Sequence, residues 1–408
     1  MAKALAHFKN FAKLKDTKVA FNDITVIAGK PRTGKSYVMK FQYAYDETVS
    51  SIISGAYKMH YAFMDDGGEE QRFFDMVRPL IRMDESINKL IDDNNYIKAE
   101  ELFNAKIKSL QEDNSEDIHF FDALKKSLEK FSIRQKKSLN ATEKEKFYFI
   151  FRNILESIFT SIDQIDTEFE YKNSQLELSY RENELAIENF NMQDHIENAI
   201  FVETPLIIEF EKFLPTERFK TPYHIDSLLQ ELNKNDFSFT SDESSNFINE
   251  FKKSTIKIVN GNISKGTKGF SFESDNGKSY DIINASSGTK SIGLLQYLVT
   301  SKALKKGSVL YWEEPEVHLH PEWQLRMVDL FIELMNAGVK IVFSTHSPFM
   351  ADYLNALSKR EKFQDRISFN VFQEKDGVVN NYILDDDNWN ILQSELMDSF
   401  EDILWTYL

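Results

Sequence analysis

Eight consecutive residues, Gly29-Lys30-Pro31-Arg32-Thr33-Gly34-Lys35-Ser36, follow the pattern G-x-x-x-x-G-K-[ST]. Glycines let a backbone wrap close to an anion, so that successive N–H groups point at phosphate oxygens. In such a loop Lys35 supplies a cation for the β- and γ-phosphates of a nucleotide, and the Ser36 hydroxyl supplies an oxygen for Mg2+. The preceding run Ile24-Thr25-Val26-Ile27-Ala28 is apolar and β-branched and reads as a buried strand. A helix is expected to start near Gly34, and its N-terminus adds a favourable dipole for phosphate. Strand, loop and helix in that order are the context the pattern requires. A chance match in a surface loop is the weaker reading.

A second constellation is Val309-Leu310-Tyr311-Trp312-Glu313-Glu314-Pro315-Glu316. Four apolar residues predict a buried strand, and acids emerge at its carboxyl end, where open parallel sheets bind ligands. Paired acids after a strand are, taken alone, a solvated strand end. Beside a phosphate loop they become candidates to hold Mg2+ (Glu313) and to orient and deprotonate a water (Glu314). Ser286-Ser287-Gly288-Thr289-Lys290 opens a predicted helix whose N-terminus offers an anion site, although serine is an ordinary capping residue. The next predicted strand, Val339 to Ser344, leads into Thr345-His346-Ser347-Pro348 and puts a histidine at the same edge.

Taken in chain order, these pieces resemble the ATP-binding-cassette branch of P-loop ATPases, the RecF, SMC and OLD-type group described as AAA family ATPases. The run Glu314-Pro315-Glu316-Val317-His318-Leu319-His320-Pro321 is close to that group's EPE-x-HLHP pattern. The resemblance implies an α/β fold, a P-loop NTPase of ABC-ATPase head type with a β-rich subdomain and a compact helical insertion. It implies ATP and Mg2+, with Gly29, Lys30, Pro31, Arg32, Thr33, Gly34, Lys35 and Ser36 as Walker A. Ser286 and Gly288 take the signature positions, Glu313 and Glu314 take Walker B, and Val317 to His320 take the D-loop. His346 takes the switch position. Each ATP is then expected between the P-loop of one chain and Ser286/Gly288 of another. Lys35, Glu314 and His346 act on the γ-phosphate and the attacking water. Two departures stand out: Arg32 where many related loops carry glycine, and Glu313 where aspartate is usual. Gln71 is the candidate for a Q-loop residue after a strand expected at Tyr61 to Met64. Two other readings of the histidines stay open. His318, His320 and His346 could form a zinc site, or His318 and His320 could be structural.

These groups need elements to hold them. The chain has 408 residues with 42% hydrophobic, enough for two or three units. The first part of an ATPase head is expected over 1–66, with 10 Lys/Arg against 6 Asp/Glu. A mainly helical insertion follows over 67–255, rich in Glu, Lys, Leu, Ile and Phe. Phe147, Ile150, Phe151, Ile154 and Ile158 recur at helical spacing there, without the sustained heptad of a long coiled-coil arm. The second part of the head is expected over 256–385. Ile256 to Val259, Phe270 to Phe272 and Tyr280 to Ile283 read as strands with turns at Asn260-Gly261 and Asp275-Asn276-Gly277. A helix over about Ser287 to Leu304, another from Pro321 to Gly338, and a hairpin at Asp376-Gly377 complete it. Residues 386–408 read as an amphipathic helix, either docked on its own core or offered to a partner.

Formal net charge is −16, which excludes a small basic DNA-coating protein. Cysteine is absent, so disulfides, thiolate zinc sites, iron–sulfur clusters and cysteine nucleophiles are excluded, and a cytoplasmic location is expected. No apolar run reaches the roughly 20 residues that span a bilayer. With 62 residues after His346 (408 − 346), no Toprim nuclease domain is expected there. The resemblance then points to stand-alone ATPase subunits of bacterial anti-phage defence systems. These form homodimers or higher homo-oligomers that control a separate effector, a nuclease or toxin. The alternatives are a RecF-like DNA-repair clamp, using Lys3, Lys9, Lys13, Lys15 and Lys18 on DNA, and a nucleotide-switched scaffold with little turnover.

Overall fold

The buried apolar runs read from the sequence become the centre of one large sheet. The structure, a computed structural model, describes residues 4–54, 98, 100–105, 129, 141–159, 162, 168–193, 195–210, 221–233, 242–266 and 269–407. The chain divides into one unit of Met1–Ser54 with Ile154–Leu408 and a second of Gly55–Asn153. The expected strand at Tyr61 to Met64 and the Q-loop candidate Gln71 lie outside the described residues.

In the first unit eleven strands form a single sheet in the order β6-β5-β4-β1-β2-β14-β13-β3-β12-β11-β7. Its parallel half comprises β13 (Ile367–Lys375), β3 (Ile24–Gly29), β12 (Lys340–Thr345), β11 (Val309–Glu313) and β7 (Ala199–Val202). β3 and β7 are buried at every residue, which is what a parallel strand covered on both faces requires. The other half is an antiparallel meander of β1 (Ala4–Phe11), β2 (Leu14–Phe21), β4 (Phe169–Lys172), β5 (Leu176–Arg181) and β6 (Glu184–Phe190). β5 alternates, with Leu176, Leu178 and Tyr180 buried and the residues between them reaching solvent. β13 turns back into β14 (Val378–Ile383) through Asp376 and Gly377, both at positive φ, as expected for that hairpin.

The longer described helices are α1 (Lys35–Ile53), α2 (Glu143–Phe159), α3 (Tyr223–Asn233), α4 (Asp242–Val259), α5 (Ser287–Thr300), α6 (Pro321–Asn336), α7 (Pro348–Glu361) and α8 (Asn390–Tyr407). A three-stranded sheet of β8 (Gly261–Gly266), β9 (Gly269–Ser274) and β10 (Ser279–Asp281) precedes α5. Helix α1 is held beneath the meander by aromatic edges. Phe41 lies 4.7 Å from Tyr171 and 5.0 Å from Phe11, centroid to centroid. Burying a ring of that size contributes roughly 1.5–3 kcal/mol. In the second unit Thr142 caps α2, exchanging hydrogen bonds with Glu145, and Phe147 stacks on Phe151 at 5.2 Å. Among the described residues no helix is long and apolar enough to cross a membrane.

Two segments depart from the sequence reading. Residues 169–202, assigned to a mainly helical insertion over 67–255, supply four strands of the large sheet. A period of two in the first of these strands, with a turn at Glu182-Asn183 in the left-handed region, and the continuous apolar run of Ala199–Val202 are the physical causes. Ile256 to Val259, expected as a strand, is the last turn of α4. There Phe251, Thr255 and Val259 are buried at four-residue spacing, and Asn260, at φ 53°, ends the helix.

Candidate functional site

The carboxyl ends of β3, β12 and β11 meet because the strands pair in register. Ala28 lies opposite Thr345, Ile27 opposite Ser344, and Ser344 opposite Glu313. The loop after β3 departs through Gly29 at φ 142°, where a Cβ would sit 2.3 Å from the Phe372 carbonyl oxygen of β13. Only glycine fits there. Arg32 stands at φ 68°, adopting the left-handed conformation that a glycine would take without strain. Gly34, at φ 90°, precedes α1 and offers no side-chain cap, so the first N–H groups of α1 have no capping side chain. Thr33 closes the loop on itself, its hydroxyl donating to the Lys30 carbonyl at 2.9 Å.

Lys35 is buried, and its ammonium donates to the carbonyls of Gly29 (2.7 Å) and Lys30 (2.9 Å). Burial pulls its pKa down to about 8, against the opposing charges of Glu314, Glu316, Glu313 and Glu395. Burial pushes the Glu313 carboxyl up to about 7, with the neighbouring Ser36 hydroxyl opposing, and its Oε1 has no hydrogen-bond partner. Glu314 is itself in the left-handed region at φ 46°, and its N–H donates to the Ser344 carbonyl at 3.1 Å. Strain of that kind persists only where surrounding structure enforces it, and it is concentrated at functional sites. The turn aims the Glu314 carboxylate at His346, Oε1 to Nε2 3.1 Å. The His346 pKa is lowered by burial and then by the charge of Lys35, with Glu314 and the backbone of Gly29 opposing. The structure thus gathers Lys35, Ser36, Glu313, Glu314 and His346 at one sheet edge.

Glu316 has a part that its place in the sequence did not assign. It accepts from the backbone N–H of His346 (2.6 Å) and from the Thr345 hydroxyl (2.9 Å), and so ties the end of β11 to the end of β12. Burial raises its pKa. His320 caps α6, its Nδ1 accepting from the Glu322 N–H at 3.3 Å, which is the structural reading of that residue. His318, at φ 68°, offers its carbonyl to α5, 3.2 Å from where a Cβ on Gly288 would lie. Ser286 caps α5, accepting from the Thr289 N–H at 3.2 Å. Ser286 and Gly288 therefore stand at the head of α5, against the loop of His318. Lys290, one turn along, is buried in an ion pair with Glu209 at 2.6 Å and fixes that helix.

One acid at this edge went unread in the sequence. Glu203 follows β7, the strand beside β11, and its carboxylate binds Lys40 of α1 (3.2 Å) and His224 of α3 (2.7 Å). The hydrogen bond from His224 is the main cause that holds its pKa well below the carboxylate range, against a desolvation penalty. His224 is buried, which lowers its own pKa. A neutral ring donating from Nε2 leaves Nδ1 buried without a partner. The charge of Glu203 is among the causes that raise Glu313. The available signal is Ala199-Ile200-Phe201-Val202-Glu203, apolar residues ending in an acid, as at Glu313. The lysines considered for DNA are partly engaged elsewhere: Lys9 pairs with Glu170 (3.1 Å) and Lys13 with Glu374 (2.7 Å), while Lys3 lies outside the described residues.

A family model described as AAA ATPase domain matches residues 7–351. No curated protein matches the chain. Among solved structures it is similar to an SmcHead bound to the C-winged helix domain of ScpA, at 12% identity over 95% of this chain and 98% of that one, TM-score 0.45. It is also similar to an SMC head domain from Thermotoga maritima, at 10% identity over 94% of this chain and 100% of that one, TM-score 0.42. A third is an Smc head domain with an extended coiled coil from Pyrococcus furiosus, at 14% identity over 97% and 99%, TM-score 0.37.

Proposed function

The chain belongs to the AAA ATPase domain family, and from that premise we propose that it hydrolyses ATP in a site completed by a second copy of itself. The observation that carries the proposal is the meeting of Lys35, Ser36, Glu313 and the Glu314–His346 pair at one sheet edge. The loop from Gly29 to Ser36 wraps the triphosphate with the backbone N–H groups from Arg32 onward, that of Lys30 being held by Glu395, and Lys35 turns from its two carbonyls to the β- and γ-phosphates. Glu314 accepts a proton from the attacking water. His346, hydrogen-bonded to Glu314, holds that carboxylate and contacts the γ-phosphate. Catalysis of this kind is positioning plus electrostatic stabilisation, with little covalent work for the protein.

The residues present fit Mg2+. A buried carboxylate pushed up to about 7, with a partnerless oxygen and a serine hydroxyl beside it, is a donor set for a hard cation. Ser36 and Glu313 would hold the ion, which neutralises charge on the β- and γ-phosphate oxygens when bound. The extra methylene of Glu313 gives its carboxylate further reach than aspartate has.

Ser286, Gly288 and the N-terminus of α5 are assigned to the γ-phosphate of a partner chain. ATP then joins two heads, and hydrolysis releases them. We extend the reading to a subunit whose nucleotide-driven pairing controls a separate effector, a nuclease or toxin of an anti-phage system. Its support is the family resemblance of the head. Phosphate release by the purified chain tests the core of the proposal: Lys35→Ala should lose nucleotide binding, and Glu314→Gln should bind ATP and accumulate dimers. Normal hydrolysis by Glu314→Gln would overturn the assignment of the base. Mixing Lys35→Ala with Ser286→Arg chains should restore one active site in two, and no recovery would exclude sharing between chains.

A further inference from the structure

The leading turn of the phosphate loop is held from outside by a residue of the C-terminal helix. Glu395 of α8 is 4% exposed, although a lone carboxylate seldom tolerates such burial. One of its oxygens accepts from the backbone N–H of Lys30 at 3.3 Å, and the other from the Gln373 amide of β13 at 3.1 Å. The helix that carries it is anchored independently. Leu392 is fully buried, Trp389 meets Phe369 of β13 edge to face at 4.8 Å, and its indole N–H donates to Asp352 at 2.9 Å. On this side Lys30, Pro31 and Thr33 border a cavity of about 510 Å³ together with Gln373, Lys375 and Glu395, so packing there leaves the loop room to shift. Pro31 has no N–H, so the Lys30 amide is the donor that Glu395 takes at the leading end of this turn.

We infer that Glu395 is a positioning residue for nucleotide binding: through Lys30 it keeps the loop in the conformation that receives the phosphates. The inference rests on the reading of Gly29 to Ser36 as the nucleotide site. Glu395 contacts the loop backbone only, so its effect falls on affinity and leaves the chemical step alone. Lys35 feels its charge, but the hydrogen bond to Lys30 requires an acceptor, which glutamine supplies as well.

The test measures ATP KM and kcat, with binding of a fluorescent ATP analogue, for Glu395→Ala, Glu395→Gln and Lys35→Ala in the full chain. Loss of this hydrogen bond should raise KM and Kd by up to about tenfold in Glu395→Ala with kcat within about twofold. Glu395→Gln should restore both to about wild-type values. If Glu395→Ala does not fold, Glu395→Asp replaces it: charge is kept, reach is shortened, and the same weakening is expected. Unchanged KM in Glu395→Ala or Glu395→Asp overturns the inference, as does a loss confined to kcat. Equal damage from Glu395→Gln overturns it too. Lys35→Ala keeps the two readings apart. If it binds nucleotide normally, the site assignment fails. If it loses binding while Glu395→Ala does not, only the present inference fails.

Discussion

The two halves of the large sheet solve the same problem differently. In the parallel half, β3 and β7 are buried throughout, and polar chemistry is pushed to the carboxyl edge, where Gly29, Arg32, Glu314 and His318 all take positive φ. In the antiparallel half, β5 buries one face only, and charged side chains of β1, β4 and β5 form exposed pairs such as Lys9–Glu170 and Arg181–Glu170. Buried groups shifted by desolvation, Glu313 up to about 7 and Lys35 down to about 8, gather in the first, while solvated ion pairs decorate the second. A rigid, fully buried scaffold can hold a few groups in unfavourable states. A surface that water can reach has no need to.

Substitutions that separate the halves should differ by orders of magnitude. Lys35→Ala, in the parallel half, is expected to lower ATP turnover by at least about a hundredfold with the melting temperature little changed, as read by phosphate release and calorimetry. Turnover within threefold of wild type would remove the contrast. Phe41→Ala attacks the layer between α1 and the meander and should cost about 3–5 kcal/mol in denaturant unfolding. A loss below about 1 kcal/mol would mean that the meander does not support α1.

Acidity sharpens the comparison next. Glu313 ionises near 7 and Lys35 loses its proton near 8, so nucleotide binding in Mg2+ should rise as pH passes about 7 and fall again above about 8. Glu313→Gln should remove the lower limb. The folding sign runs the other way. The Glu313 pKa is raised from 4.5, so the buried carboxyl destabilises the fold increasingly as pH rises from 4.5 through about 7. Glu313→Gln should therefore raise the melting temperature at pH 8 and leave it unchanged at pH 4. Equal shifts at both would refute the linkage. The smallest effect is expected for Lys9→Ala, where the exposed pair with Glu170 is worth at most about 0.5 kcal/mol and ATP turnover should not move. A DNA-binding loss in that variant, seen by salt titration, would favour the clamp reading over control of an effector.

Much of the site was legible because its signals are short. The spacing of Gly29, Gly34, Lys35 and Ser36 fits within one loop, and Glu313 and Glu314 follow directly on the run that makes β11. The Asp376-Gly377 and Asp275-Asn276-Gly277 turns are equally local. The meander strands were also present in the sequence, as the alternation of Leu176, Leu178 and Tyr180, but the helical composition of the neighbouring segment masks a period of two. Ile256 to Val259 misleads for the opposite reason: β-branched residues sit in a helix because Phe251 and Thr255 commit that face to the core.

The sequence by itself determined which backbone could cradle phosphate and which acids would emerge from a buried strand, since neighbours along the chain settle both. Only the tertiary structure decided that β7 lies beside β11, and so brings Glu203 against Glu313. It also decided that Glu395 reaches Lys30 across 365 residues of chain. Contacts at that separation follow from sheet order and helix docking. Those depend on how every buried face is shared, which no local pattern encodes.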